Sequence, residues 1–231
     1  MIKSKKFAFT LSEALITLSI MGILGAVVLP GVIKDTTNKA NITLLQGTIS
    51  HLNDAIQTEL IKTQVSNIKD TLIYKNPRKF MQNNFDIAEE CPANTYPTSC
   101  RVQYFNTYDG ARNNVGAFSN VPTLLSNGVS IDFLNDNPAP HILVSIDLNG
   151  KHPPNIVGVD LFYTNIIGET NLNKSWQVGD VRGLLQTGIA DDASTVSDAR
   201  LKTLCVSGYG TPCYLLLERS GFDPKYLEKT Y

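Results

Sequence analysis

Residues Phe9 to Ile33 read FTLSEALITLSIMGILGAVVLPGVI, an almost wholly apolar run that holds a single acid, Glu13. An α-helix needs roughly 20 to 25 apolar residues to cross the hydrocarbon core of a bilayer, so 9–33 reads as a membrane span. An ionised carboxylate is costly to bury in hydrocarbon without a partner, and an acid inside such a span is by default a functional hypothesis.

The flanks orient the span. Lys3, Lys5 and Lys6 precede it, and by the positive-inside tendency that end stays cytoplasmic while the remainder is exported. A cleaved secretory signal is the competing reading, with Gly25-Ala26-Val27 as a weak cutting site. Such signals have an apolar region of roughly 7 to 15 residues and carry no acid, and this run is too long.

A basic leader, small Ala8, then Phe9-Thr10-Leu11, an acid four residues after that Phe, and a hydrophobic helix with Gly22 and Pro30 follow in order. This arrangement resembles the prepilin-type N-terminus of type IV pilins, minor pilins and type II secretion pseudopilins. The resemblance covers roughly Lys3 to Ile33. It implies a leader of residues 1–8, removed on the cytoplasmic side between Ala8 and Phe9 by a membrane-embedded aspartic prepilin peptidase, and N-methylation of the new Phe9 amine. Most members carry Gly before the cut; Ala8 departs from that but keeps the side chain small. Ser12 and Ala14 flank the acid where branched apolar residues are commoner.

The implied role of Glu13 follows from the cut. Cleavage creates a positive amine at Phe9, and the carboxylate of a neighbouring subunit pairs with it in a low-dielectric filament core, where an unpaired charge would be far costlier. In the family, Gly22 and Pro30 bracket a segment that loses helical structure as subunits pack; a simple kink is the alternative. Pro30 removes a backbone donor and the glycines lower helix propensity, which supports a weak stretch there. Gly22 with Ala26 forms a small-xxx-small pair that permits close helix approach. Thr10 and Thr17 share a helix face with Glu13, and their hydroxyls are expected to bond back to helix carbonyls.

Beyond Ile33 the helix is expected to continue as an amphipathic segment, 34–67, ending near Thr63 to Asn67. Ile42, Leu45, Ile49, Leu52 and Ile56 recur at spacings of three and four, one apolar stripe that needs a cover. Asp35-Thr36-Thr37-Asn38 could instead restart a helix after a break, and Gly47 weakens continuity.

Residues 68–231 are enough for one exported domain of about 160 residues with its own core. Asn76 to Asn120 reads as a long looped region with a strand at Arg101 to Phe105. Val129–Phe133 and Ile142–Leu148 alternate with period two, Asn149-Gly150 signals a tight turn, and a third strand is expected over Val159 to Ile167. Ser197 to Leu204 and Pro212 to Ser220 read as helices, with Gly221 as a stop and Asp223-Pro224 as a further helix start. An antiparallel sheet laid against the amphipathic half of the long N-terminal helix gives an α+β class, which is also the pilin-like fold. LLSNGVSIDF (124–133) and DLNGKHPPNIVGVDLF (147–162) further resemble pseudopilin-like sequences.

Four cysteines form two local pairs, Cys91 with Cys100 and Cys205 with Cys213. Export makes disulfides the expected state; three connectivities exist, and the two local loops are favoured. A zinc site is the runner-up, weakened by the wide spacing and the lack of a nearby histidine, and free buried thiols are a further alternative. Asp147, Asn149 and Asp160 offer oxygen ligands for calcium, but the match to a calcium loop is partial. The preferred reading is turn chemistry, with Asn149 and Gly150 at positive backbone angles and Asn155 and Asp160 bonding loop amides.

Catalytic signals are missing. His51, His141 and His152 stand in unrelated contexts, no nucleophile elbow or phosphate loop occurs, and a net charge of −1 argues against a nucleic-acid surface. No enzyme activity, cofactor or metal is expected. The resemblance implies a structural subunit of a type II secretion pseudopilus or type IV pilus-like filament, single-pass in the inner membrane with its C-terminal domain outside. Its implied partners are the prepilin peptidase/methyltransferase, other pilin or pseudopilin subunits, the inner-membrane assembly platform and membrane lipid. The alternative is a filament-displayed binding module, an adhesin or DNA-uptake minor pilin, with Asn76 to Asn120 as its recognition surface.

Overall fold

The computed structural model describes residues 10–65, 70–92, 100, 104–107, 110–114, 122–135, 141–150, 152–153, 155–167 and 196–223. The chain divides into two compact units, Met1–Ala40 and Asn41–Tyr231. A single helix, α1 (Leu11–Thr63), contributes to both. It runs unbroken through Pro30 and through Asp35-Thr36-Thr37-Asn38, so the restart alternative does not occur. In the first unit every large apolar side chain from Leu11 to Ile33 is 52% to 79% exposed, and this stretch is long and apolar enough to cross a membrane. Its hydroxyls are satisfied within the helix: Thr17, Ser19 and Thr36 donate to the carbonyls of Glu13, Leu15 and Val32 at 2.6, 2.8 and 2.8 Å. Such back-bonding removes the cost of unpaired polar groups in an apolar surrounding.

In the second unit the expected stripe is the inner face of α1. Ile42, Leu45, Leu52 and Ile56 are buried, Ile49 is half-buried, and all belong to the same core as the sheet. Gln64 takes a positive φ of 53° and ends the helix inside the expected window. Two short helices follow, α2 (Leu72–Lys75) and α3 (Pro77–Asn84), the second of them inside the Asn76 to Asn120 stretch expected to be looped. Asn76 caps α3 by accepting from Lys79 N at 3.0 Å, and Pro77 occupies its first position, where a missing N–H costs nothing.

The sheet is antiparallel with strand order β1 (Ile87–Glu90), β4 (Thr123–Leu125), β5 (Ser130–Asn135), β6 (His141–Asp147), β7 (Leu161–Ile167). A separate hairpin pairs β2 (Tyr104–Asn106) with β3 (Arg112–Asn114). The first strand expected at Arg101 to Phe105 is thus β2, shifted toward its end; residues 101–103 lie outside the described set. The third expected strand starts two residues late, because the carbonyl of Ile156 accepts from the amides of Val159, Asp160 and Leu161 and holds them in a turn.

Cross-strand partners share a face, so Phe133, Val144 and Thr164 lie together, as do Ile131, Ile146 and Phe162. A line of rings ties this face to the helices: His51 of α1 to Phe85 at 4.5 Å, Phe85 to Phe80 at 6.4 Å, and Phe80 edge-on to Phe133 at 6.4 Å. The opposite face carries Asp132, Ser145 and Tyr163 in register. There α5 (Gly210–Arg219), preceded by α4 (Asp198–Val206), sits against the Tyr163 ring. Both helices match the expected segments within three residues. Gly221, at φ 70°, stops α5, with Phe222 N donating to Leu217 O at 2.9 Å. Pro224, and with it the proposed Asp223-Pro224 start, falls outside the described residues.

Candidate functional site

The N-terminal acid is set by its own helix start. Ala8 and Phe9 lie outside the described residues, but Thr10 immediately after them is the residue that caps α1. Its backbone N–H and its hydroxyl both donate to Glu13 Oε2, at 2.9 and 2.7 Å, while Glu13 N donates back to Thr10 Oγ1 at 3.3 Å. This is a reciprocal capping box, with Ser/Thr at the cap and an acid three residues on. It corrects the expectation for Thr10: preceding the first turn, Thr10 has no upstream helix carbonyl to bond, so its hydroxyl turns to the acid. The signal Thr-x-x-Glu was present in the sequence. Thr17 behaves as expected, bonding the Glu13 carbonyl.

Glu13 is the only charged side chain between Leu11 and Ile33. The capping box occupies one of its two oxygens with donors from its own chain. Gly22 and Gly31 have open space around them, and Gly25 meets only the tip of Leu29 at 3.7 Å. Among the described residues no other side chain comes within 4 Å of a Cβ placed at these glycines.

The cysteines are joined as two local pairs. Cys91 bonds Cys100 and Cys205 bonds Cys213, and among the described residues no cysteine is free. The first closes a loop at the end of β1, where Cys91 N also donates to Pro122 O at 2.9 Å. The second joins the end of α4 to the start of α5.

The 147–160 loop is a hydrogen-bonded turn centred on Asp160. Its Oδ2 accepts from Asn155 N at 2.7 Å and Asn149 Nδ2 at 3.0 Å, its Oδ1 from Ile156 N at 2.6 Å, and Asp147 Oδ1 accepts from Asn149 N at 3.2 Å. Of the residues considered for calcium, Asp147 and Asp160 thus turn carboxylate oxygens to amide donors, whereas Asn149 Oδ1 is buried without a hydrogen-bond partner among the described residues. Positive φ falls on Gly150 (59°) and on Asn155 (49°), not on Asn149, which corrects that detail. Asp160 is 1% exposed; burial raises its pKa, and the amides of Ile156 and Asn155 with the Asn149 side chain oppose the shift. Among the described residues no three His, Cys, Asp or Glu side chains converge as metal ligands would.

Two buried acids, Asp132 and Glu59, escaped the sequence reading, and the second is tied to a helix start. Glu59, on the inner face of α1, accepts from Leu72 N and so caps the start of α2; burial raises its pKa, and amides at the head of α2 pull it back. Its position three residues after Ile56, in line with the stripe, was the available signal. Tyr214 is likewise buried, its pKa raised first by desolvation and then by the nearby Glu218 carboxylate. Comparison of the chain with protein-family models, with curated proteins and with solved structures found no match to any of them.

Proposed function

We propose that the chain is a non-enzymatic, prepilin-like structural subunit, cut between Ala8 and Phe9, methylated on Phe9, and assembled from the inner membrane into a secretion pseudopilus or pilus-like filament. The observation that carries the reading is the division of labour along α1. One half is an exposed apolar span with Glu13 at its head, and the other half is an amphipathic stretch buried in an α+β core. A signal anchor alone needs no acid at that position. In this reading the prepilin peptidase/methyltransferase, sister subunits, the assembly platform and lipid are the partners, and the domain from Asn41 onward lies outside the inner membrane.

The test is the mature N-terminus. Mass spectrometry of envelope protein is expected to find methylated Phe9, and Ala8→Leu is expected to accumulate precursor, because a bulky residue does not fit an extended peptide in a protease cleft. Retention of Met1, a cut near Ala26, or normal maturation of the Ala8→Leu chain would each remove the basis for the proposal.

A further inference from the structure

The α4–α5 hairpin meets the sheet at two places where only glycine fits. At Gly210, the first residue of α5, an added Cβ would lie 1.9 Å from Cδ2 of Tyr163, so the helix backbone rests directly on that ring. At Gly158, in the turn before β7, an added Cβ would lie 2.9 Å from Cys213 Sγ, 3.2 Å from Cys213 Cβ and 3.3 Å from Cys205 Sγ. The turn backbone therefore touches both sulfurs of the second disulfide, and Cys205 and Cys213 are only 3% and 4% exposed. No space remains there for a methyl group.

Two thiols occupy more room than a disulfide, since non-bonded sulfurs stand apart and each carries a hydrogen. Against the Gly158 backbone that room is missing, and close-packed interiors accommodate such a change only by moving. The turn that would move is internally linked. Gly158 N donates to Leu161 O at 2.9 Å, and Asp160 gathers the amides of Asn155 and Ile156.

We propose that the Cys205–Cys213 bond is a redox latch: its formation lets the α4–α5 hairpin close onto Gly158, and the closed hairpin fixes the 155–161 turn. The chemistry is thiol–disulfide exchange with a disulfide-bearing oxidant. One cysteine thiolate attacks the oxidant's disulfide and displaces one of its sulfurs. The second cysteine attacks the mixed disulfide, closes Cys205–Cys213, and releases the oxidant as two thiols, which carry away the two electrons and two protons. In a reducing compartment the hairpin stays unlatched; an oxidising one closes it. This inference is independent of any filament role.

Hydrogen exchange on the full chain in detergent tests it, with the Cys91–Cys100 bond at the opposite edge of the sheet as control. Replacing Cys205 and Cys213 together by Ser, which leaves two unjoined side chains that must stand apart as two thiols do, is expected to speed amide exchange over 155–161 by about tenfold or more, with β5 and β6 unchanged. Replacing Cys91 and Cys100 together is expected to leave 155–161 as it was. Gly158→Ala adds the backbone penalty of φ +86° in any background, but the clash with sulfur only where the disulfide exists. Its effect is therefore expected to be smaller in the chain lacking Cys205 and Cys213, a coupling that a double-mutant cycle reads directly. Unchanged exchange over 155–161 without the bond, an equal rise on removing Cys91–Cys100, or a Gly158→Ala effect identical in both backgrounds would each overturn the latch. If the double-Ser chain fails to fold, phosphine reduction of the chain lacking Cys91 and Cys100 gives the same reading: 155–161 must open before β5 and β6.

Discussion

At Glu13 a single carboxylate is asked to live in an apolar run, and Thr10 shows how its own chain makes that tolerable. Two donors from Thr10 hold one oxygen, so the acid is partly satisfied before any neighbour arrives. On the proposed assembly role, Glu13→Leu removes charge from the span, so membrane insertion and cleavage are expected to persist while filament incorporation collapses and mature subunit accumulates in the membrane. Glu13→Asp should fall between, its reach being shorter. Fractionation of sheared filaments against membranes measures this, and wild-type incorporation of the Leu variant would refute the pairing. Asp160 illustrates the opposite case, a buried acid that serves folding. Asp160→Ala strands at least two buried amides and is expected to cost about 2–4 kcal/mol in denaturant melts. Because burial raises its pKa in the folded state, the folded chain binds the proton more tightly than the unfolded one. Its contribution to stability is therefore fullest below the unfolded carboxylate pKa and declines as pH rises through the folded value. Asp160→Asn should flatten that portion of the stability–pH curve, and an unchanged curve would show that another group sets it.

At the scale of elements, α1 is one helix doing two jobs, and the change of job is written in side chains rather than in a break. Leu52 is fully buried in the amphipathic half, whereas Ile61 is 75% exposed on the same helix. Leu52→Ala is expected to cost about 2–5 kcal/mol and Ile61→Ala within about 0.5 kcal/mol, compared by denaturant midpoints. Equal effects would contradict the placement of the stripe. This stripe was legible because a buried helix face must repeat at three and four, and β5 and β6 were legible because a strand must alternate. What was harder to read lacked such periodicity. Strands β1, β3 and β4 span only three or four residues, too few for a pattern to emerge. Short helix α3 nevertheless had its start signal in Asn76-Pro77. The β4–β5 turn had one in Asn127-Gly128, where Gly128 takes φ +89° and Asn127 Oδ1 accepts Val129 N at 3.1 Å. Glu59 was hidden for a different reason: a carboxylate in a stripe position reads as solvated until the amides it caps are known.

For the molecule as a whole, the two compact units face different solvation problems, and the division falls at Ala40 rather than at Ile33 where the apolar run ends. Unit Asn41–Tyr231 contains the entire stripe from Ile42 to Ile56, the sheet that shares its core, and both disulfides. Each bond closes a loop of fewer than ten residues, expected to contribute about 2–3 kcal/mol if entropy of the unfolded chain dominates. A unit that keeps its own core and its own cross-links should fold without the rest. Expressed with export to an oxidising compartment, residues 41–231 are therefore expected to be monomeric and to unfold in one cooperative transition. Non-reducing peptide maps should give Cys91–Cys100 and Cys205–Cys213 alone. Residues 63–231 make the decisive contrast. That chain loses Leu45, Leu52 and Ile56, all buried, and Glu59, which caps α2, so it uncovers one face of the sheet and is expected to aggregate. Should the longer fragment aggregate as well, or the shorter one fold, the core would not depend on the second half of α1, and the architecture in which that half covers the sheet would be wrong.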